Sequence, residues 1–190
     1  MRNIEEVFAD RTCYKFLDRP VSKVLLEEIY NMAKLGPTSA NCSPLRTVFV
    51  QNPAAKDKLY QCVAPGNVEK VKSAPVTAIF AFDTKFYELI PKLFPHDISI
   101  KDYFSSSEEI ALDTAFRNSS LQAAYFMIAA RNKGLACGPM SGFNKNAINS
   151  TFFNDSNYQV NFICNIGYRD GDNPFPRLPK LDFTECCKIM

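Results

Sequence analysis

The spacing of apolar residues predicts two helices in the first third of the chain. Residues 23–35 place apolar side chains on one face at helical spacing. Ser22 suits the N-cap of this helix, and Gly36 follows its last turn. A second helix is expected from Pro53 to about Cys62, because proline is tolerated in a first helical turn.

A long helix is the strongest element that the pattern predicts. It begins after a cap at Ser106 or Ser107, runs to about Lys133 and ends at Gly134. Its centre, 121–130, is apolar almost all round, which is typical of a buried central helix. A weaker helix is expected over 144–153.

Three apolar runs predict strands, over 47–50, 76–82 and 158–168. The run 76–82 is apolar on both faces, which indicates a sheet covered on both sides. Segment 135–143 begins like a strand and contains glycines, whereas 86–107 is aromatic with no clear period and is interpreted as a covering excursion. Alternating strands and helices favour an α/β or α+β fold.

Length and charge narrow the classes of function. A chain of 190 residues with 46% hydrophobic and 22% charged residues is expected to form one globular domain, 1–190. The net charge of +2 comes from scattered basic residues, which argues against a nucleic-acid partner. The first residues have no apolar signal core, and no apolar run approaches the roughly 20 residues that span a bilayer. We therefore predict a cytoplasmic protein with no membrane partner.

The cysteines indicate reduced thiols rather than a disulfide framework or a metal site. Seven cysteines are widely spaced, no CxxC pair occurs, and His96 is the one histidine. A zinc site is therefore not expected. Cys186 and Cys187 form a vicinal pair, interpreted as incidental thiols in preference to a redox-sensitive tail.

Residues 36–46 form a segment, here called the polar loop, that is rich in small hydrogen-bonding side chains. Two prolines bracket Thr38, Ser39, Asn41 and Ser43, and Arg46 closes the segment. Such a segment can present hydroxyl and amide groups to a flat polar ligand. Taken alone, it also fits a simple helix cap and turn.

Three other segments contain residues that core building does not require. Arg11 and Thr12 combine a guanidinium with a hydroxyl, which suits phosphate oxygens. Segment 137–143 has glycines that permit close backbone approach to a ligand. Arg177 and Lys180 lie on a proline-rich arm after the last strand. Each of these segments alone also fits a surface arginine, a turn or an extended tail.

Together the four segments resemble the nitroreductase-like family of FMN-dependent NAD(P)H oxidoreductases. The matching stretches are 11–16, 37–44, 138–143 and 166–168, the last followed by 174–177. The resemblance implies an α+β fold with α/β-like layers, in which helices flank a mainly antiparallel central sheet. It also implies an interlocked homodimer with FMN at the subunit interface.

The resemblance assigns a role to each segment. Arg11, Thr12 and Arg177 would hold the FMN phosphate, with help from Lys180. Ser39 and Asn41 would reach the ribityl chain or the ring from the partner subunit. The flavin ring near its reactive nitrogen would be lined by Pro139, Met140, Ser141 and Gly142. Ser141 and Gly142 would lie near N5, and no protein side chain is assigned as a catalyst.

The chain departs from the family pattern at Tyr14, where another basic residue is frequent. The departure weakens the phosphate grip or transfers it to Lys15 or Arg46. A positive group that stabilises the reduced flavin is also expected, and Arg46, Arg117 and Lys72 remain alternatives.

The resemblance implies ping-pong hydride transfer from NADH or NADPH through flavin N5 to a small acceptor. Closer features, among them 36–44 and 114–125, resemble the malonic semialdehyde reductase branch, which reduces that aldehyde acid to 3-hydroxypropionate. A nitroaromatic or quinone reductase is the first alternative, and a non-catalytic flavin carrier or sensor is another. For Arg117, pairing with an acid is preferred to contact with a substrate carboxylate, and His96 and Cys42 are not expected to be catalysts.

Overall fold

The computed structural model describes residues 2–190 and is built around one four-stranded sheet. The strands are β1 (Leu45–Val50), β2 (Val76–Asp83), β3 (Ala136–Met140) and β4 (Tyr158–Gly167). They pair in the order β1-β2-β4-β3, and every pair is antiparallel. All residues of the central strand β2 are buried, which confirms the sheet covered on both faces.

Helices surround the sheet. They are α1 (Ile4–Ala9), α2 (Lys23–Ala33), α3 (Pro53–Tyr60), α4 (Pro65–Ser73), α5 (Ile90–Leu93), α6 (Ile100–Ser105), α7 (Glu108–Asn132), α8 (Lys145–Phe152) and α9 (Phe183–Cys186), with short 3-10 turns at Ser39–Asn41 and Phe86–Leu89. The long helix α7 begins as expected, because the Ser107 hydroxyl accepts from the N–H of Ile110 at 3.1 Å.

Two hydrophobic clusters cover the two faces of the sheet. On one face α2 and α7 pack through Ile29 and Phe126 against Phe80 of β2. On the other face Leu59 of α3 and Ile148 of α8 belong to a cluster with sheet residues. The result is a layered α+β fold in which helices flank an antiparallel sheet, as the sequence predicts.

Some helices depart from the prediction. The segment 86–107 covers part of the core as interpreted, because Phe86, Ile90 and Phe104 cluster with Phe82 of β2, but its short helical turns were not predicted. Helices α1, α4 and α9 were not predicted. Helix α2 ends at Ala33, two residues before the predicted end. Gly36 is needed for close packing, because a Cβ at this position would collide with the ring of Tyr125.

The segment 11–17 contacts the outer edge of β3 and then the chain that follows β4. The N–H of Cys13 donates to the carbonyl of Cys137 in β3 at 2.9 Å, and the N–H of Leu17 donates to the carbonyl of Tyr168 after β4 at 2.8 Å. Gly138 permits this approach, since a Cβ there would lie 2.5 Å from the Cys13 carbonyl oxygen. The sheet therefore places the first chemistry-bearing segment beside the third. Within residues 2–190, no helix is long and apolar enough to cross a membrane.

Candidate active site

The four residues predicted to hold a phosphate share one cavity although they come from opposite ends of the chain. The cavity has a volume of about 320 Å³, and Arg11, Thr12, Arg177 and Lys180 all line it. Its other lining residues are Phe8, Asp10, Tyr14, Arg131, Asn173 and Leu178. We call this space the cationic cavity.

Backbone carbonyls hold the two predicted arginines in position. The Arg11 guanidinium donates to the carbonyls of Phe175 and Pro176 at 2.6 and 2.8 Å. Arg177 donates to the carbonyl of Ala9, so the two arginines tie the N-terminal segment and the C-terminal arm together. The Asn173 amide adds a further tie by donating to the Thr12 carbonyl at 3.0 Å.

The cationic cavity has an excess of positive charge. Asp10 is the one carboxylate that lines it, and Asp10 is already paired with Arg2. The cations Arg11, Arg177 and Lys180 are joined there by Arg131, which was not predicted. Basic residues are common in the last turn of a helix because of the helix dipole, so nothing in the sequence singled Arg131 out.

Neither residue expected to replace the missing basic side chain at Tyr14 reaches this cavity. Lys15 forms an ion pair with Asp170 at 2.6 Å, and Arg46 forms one with Asp83 at 2.8 Å. Tyr14 itself lines the cavity. Of the two alternatives stated for Tyr14, transfer of the grip to Lys15 or Arg46 is not seen within one subunit, because each of these residues is paired with an acid outside the cavity.

The end of β3 presents backbone donors. Ser141 is exposed, and within residues 2–190 the N–H groups of Ser141 and Gly142 donate to no acceptor. The carbonyl of Gly142 accepts from the Ala64 N–H at 2.9 Å and from the Asn67 amide at 3.0 Å, which fixes this turn. A Cβ on Gly142 would lie 2.5 Å from the Asn67 amide nitrogen, so a larger residue there would displace the Asn67 side chain.

Pro139 and Met140 are half-buried in the same strand end. Pro139 lies opposite Cys164, and proline is tolerated because β3 is at the edge of the sheet. Met140 packs against the core cluster that contains Ile163. Both residues therefore support the strand end that carries the free N–H groups.

Helix α4 links this strand end to the cationic cavity. The Lys70 ammonium donates to the Asn67 amide oxygen at 3.0 Å and lies 5.4 Å from the centre of the Tyr14 ring. Tyr14 lines the cavity, and Asn67 contacts Gly142, so the two regions form one surface. Asn67 and Lys70 were not predicted as site residues because helix α4, which carries them, was not predicted.

The polar loop has an unusual backbone. Ala40, Asn41 and Ser43 have φ angles of 44°, 51° and 40°, in the left-handed region that non-glycine residues seldom adopt. The Ser43 N–H donates to the Thr38 hydroxyl at 3.2 Å, and the Asn41 amide donates to the Leu93 carbonyl at 2.9 Å. These bonds leave the Ser39 and Asn41 side chains exposed.

Buried polar side chains of α7 hold the polar loop. The Asn118 amide oxygen accepts from the Ser39 N–H at 2.9 Å, and its nitrogen donates to the Ser39 hydroxyl at 3.3 Å. The Gln122 amide oxygen accepts from the Leu45 N–H at 2.9 Å. Asn118 is 1% exposed, so it is not available to a substrate carboxylate. The sequence signal that could have identified both residues is a run of polar side chains one turn apart, Thr114, Asn118 and Gln122, on the buried face of α7.

The polar loop is not part of the cationic cavity within one chain. Among the described residues, those that line the cavity come from α1, from the segments 10–14 and 173–180, and from the end of α7. Ser39 and Asn41 are therefore not brought together with Arg11 and Thr12 in the single subunit.

The three cationic side chains considered for stabilising the reduced flavin each have an acidic partner. Arg117 pairs with Asp113, as preferred from the sequence, Lys72 pairs with Glu69 at 2.8 Å, and Arg46 pairs with Asp83.

Two side chains considered for catalysis have structural surroundings. The His96 ring packs on Phe94 with 3.9 Å between ring centres. Burial raises the pKa of the Cys42 thiol to about 11, so Cys42 is a poor nucleophile near neutral pH.

The residues present fit a flavin mononucleotide. A cavity with four cations and one already paired carboxylate suits a phosphate dianion. The unpaired N–H groups at Ser141 and Gly142 suit the polar edge of a flavin ring, and α4 connects the two regions.

Comparison with known proteins identifies the family. The sequence profile of the Nitroreductase family matches residues 9–168. A relative from Polynucleobacter asymbioticus, named as a candidate NADH dehydrogenase/NAD(P)H nitroreductase, is 50% identical over 190 residues, which cover 100% of this chain and 96% of the relative. A relative from Ralstonia pickettii, named in the same way, is 50% identical over 176 residues, 92% of this chain and 90% of the relative.

Solved structures agree with this assignment at the level of fold. The crystal structure of a candidate nitroreductase from Bacillus subtilis has a TM-score of 0.90 at 24% identity and covers 98% of this chain and 97% of that one. A candidate nitroreductase from Exiguobacterium sibiricum, crystallised in complex with FMN, has a TM-score of 0.87 at 20% identity over 100% and 98% of the two chains. The chain therefore belongs to the nitroreductase family, which confirms the family prediction and the enzyme class it carries, an FMN-dependent NAD(P)H oxidoreductase.

Proposed function

We propose that the cationic cavity binds the phosphate of FMN through Arg11, Thr12, Arg177 and Lys180. The observation that carries the proposal is that two pairs of residues meet at one positively charged cavity. Arg11 and Thr12 lie near the start of the chain, and Arg177 and Lys180 lie near its end. Guanidinium groups suit this task because they donate several hydrogen bonds in a fixed plane while remaining charged.

The strand end at Pro139–Gly142 is proposed to hold the flavin ring. When bound, FMN supplies the hydride-transfer chemistry between NAD(P)H and the acceptor. The chain's own part is to donate hydrogen bonds from the N–H groups of Ser141 and Gly142 to the polar edge of the ring. Lys70, fixed by Asn67, supplies positive charge beside the same surface.

We propose that a second copy of the chain completes the site with Ser39 and Asn41. The polar loop is held in a defined shape by Asn118, yet within one subunit it lines no part of the cationic cavity. Apolar side chains on α1, α2 and the turn after α2 are exposed, and Leu35 is 80% exposed. An apolar groove of about 370 Å³ lies beside them, lined by residues of α1, α2 and α7, which suits burial in a homodimer.

The proposed acceptor is a small aldehyde acid such as malonic semialdehyde, reduced to 3-hydroxypropionate. The motifs at 36–44 and 138–143 support this choice. A nitroaromatic or quinone acceptor is the second candidate, and the names of the Polynucleobacter and Ralstonia relatives favour it. All seven thiols are free, which fits the predicted cytoplasmic location.

Anaerobic spectroscopy tests the proposal. Purified protein reconstituted with FMN should bleach when NADH or NADPH is added, and colour should return with malonic semialdehyde. Return of colour only with nitroaromatics or quinones would refute the aldehyde acceptor, and a flavin that NAD(P)H does not bleach would indicate a carrier or sensor. Arg11→Ala should weaken FMN retention at limiting FMN far more than it lowers the melting temperature of the FMN-free protein, which loses only the exposed bonds to the Phe175 and Pro176 carbonyls.

Dimerisation needs a separate measurement. Light scattering after size-exclusion chromatography should give the mass of two chains. Asn41→Ala should then weaken FMN binding without changing this mass, because its side chain is exposed and is not part of the core. A monomer that binds FMN at full affinity would contradict the role of the partner's polar loop.

A further inference from the structure

We infer that Arg131 binds the phosphate in the cationic cavity and supplies the positive charge that Tyr14 does not. The inference rests on the proposed function, because it concerns the same FMN phosphate. It assigns a ligand contact to a residue outside all four motifs, at the end of helix α7.

The guanidinium of Arg131 is distinguished by its lack of partners. Its Nε is buried and makes no hydrogen bond, and no ion pair within residues 2–190 engages the side chain. Every other arginine has a hydrogen-bond, ion-pair or aromatic partner; these are Arg2, Arg11, Arg19, Arg46, Arg117, Arg169 and Arg177. A buried guanidinium N–H without an acceptor is unfavourable, and an anion in the adjoining cavity would supply acceptors for the group.

The charges around the cavity favour a dianion. Arg11 and Arg177 spend some of their donors on backbone carbonyls, and Lys180 makes no hydrogen bond within residues 2–190. Asp10 cannot neutralise Arg131 fully because it is paired with Arg2. Arg131 therefore contributes an uncompensated charge to a partly enclosed space, where electrostatic attraction is less screened than in bulk water.

Stabilisation of the helix end does not account for the position of Arg131. The last turn of α7 is already closed, because the Lys133 N–H bonds the carbonyls of Ala129 and Arg131. Lys133 also lies at this end of the helix and pairs with Glu28 at 2.7 Å. A side chain that served only the dipole would not need to lie half-buried against the cavity.

The test compares FMN with riboflavin, which has the same ring and ribityl chain but no phosphate. Dissociation constants are measured by quenching of flavin fluorescence for the wild type, Arg131→Gln and the control Arg117→Gln on the same helix. We expect Arg131→Gln to weaken FMN binding by about 10- to 100-fold, the usual effect of losing a charge-assisted hydrogen bond, and to leave riboflavin binding unchanged. Arg117→Gln should change neither, because that arginine is exposed and paired with Asp113.

A second variant distinguishes loss of the phosphate contact from a folding defect, because only a lost contact can be rescued by a new positive charge in the cavity. Tyr14→Arg, added to Arg131→Gln, places a guanidinium on another wall of the same cavity and should restore most of the FMN affinity. Loss of FMN and riboflavin binding in equal proportion, or no change for FMN, would overturn the role of Arg131. A wild type that binds riboflavin as tightly as FMN would instead overturn the proposed phosphate site itself.

Discussion

Asn118 connects the polar loop to the long helix, and its removal should have a measurable effect on both. Asn118→Ala deletes bonds to the N–H and hydroxyl of Ser39 and to the carbonyl of Thr114. A partly buried N–H left without an acceptor costs about 1–3 kcal/mol, and each remaining bond contributes about 1 kcal/mol. The higher helix propensity of alanine offsets at most about 0.7 kcal/mol.

The expected loss of stability is therefore about 2–5 kcal/mol for the cofactor-free protein. For a chain of this size, that loss lowers the melting temperature by roughly 4–20 °C. Hydrogen exchange adds a local readout, since the Ser39 N–H should exchange faster in Asn118→Ala. Asn146→Ala is the matched control, because Asn146 is an exposed asparagine within helix α8.

A melting temperature of Asn118→Ala within about 1 °C of the control would refute the reasoning, because it would mean that the buried amide contributes nothing net. If Asn118→Ala lowered stability but left hydrogen exchange at the Ser39 N–H unchanged, only the claim that Asn118 holds the polar loop would be refuted. In that case Asn118 would stabilise the helix core rather than the loop.

Further predictions concern backbone space and ionisation. Gly138→Ala should cost about 1–3 kcal/mol by chemical denaturation, because the new Cβ would approach the Cys13 carbonyl, whereas Gly66→Ala should stabilise by up to about 1 kcal/mol, because nothing lies within 4 Å. Ala40→Gly should raise the free energy of unfolding by up to about 1 kcal/mol by relieving the left-handed φ of 44°, and equal or lower stability would argue against strain. Because burial raises the pKa of Cys42 from 9.0 to about 11, the thiol of the unfolded chain ionises first, and stability should fall by up to about 3 kcal/mol from pH 9 to 11. The free energy of unfolding, measured by urea titration, should fall more steeply with pH in the wild type than in Cys42→Ala. Identical pH dependence in the two proteins would contradict the raised pKa of Cys42.

The parts of the fold that were predicted are those with strong local signals. Helix α7 has a serine cap, acidic residues in its first turn and a glycine after its last turn. Strand β2 is continuously apolar. Helix α4 escaped prediction because Ala64 gives no side-chain cap, and the short helices between 86 and 105 do not repeat long enough to show a period. Helix α1 carried a readable signal, the capping box of Asn3 and Glu6, that was not used.

The residues of the proposed phosphate site were predictable where the core gives a residue no role. Arg11 and Arg177 do not build the core, so their types indicated a phosphate ligand, and the structure brings them to one cavity, where they also bond backbone carbonyls. Arg131 and Asn118 also fit ordinary helix roles, and their partners lie far away in sequence. Only the folded chain reveals that Asn118 contacts a loop 79 residues away.

The segment that carries Arg11 and Thr12 also covers part of a sheet edge. The N–H of Cys13 in this segment donates to the carbonyl of Cys137 on the outer side of β3. An uncovered strand edge is a template for pairing between molecules. A ligand that keeps this segment in place therefore also protects solubility, so protein stripped of its flavin should precipitate sooner on storage than the loaded protein.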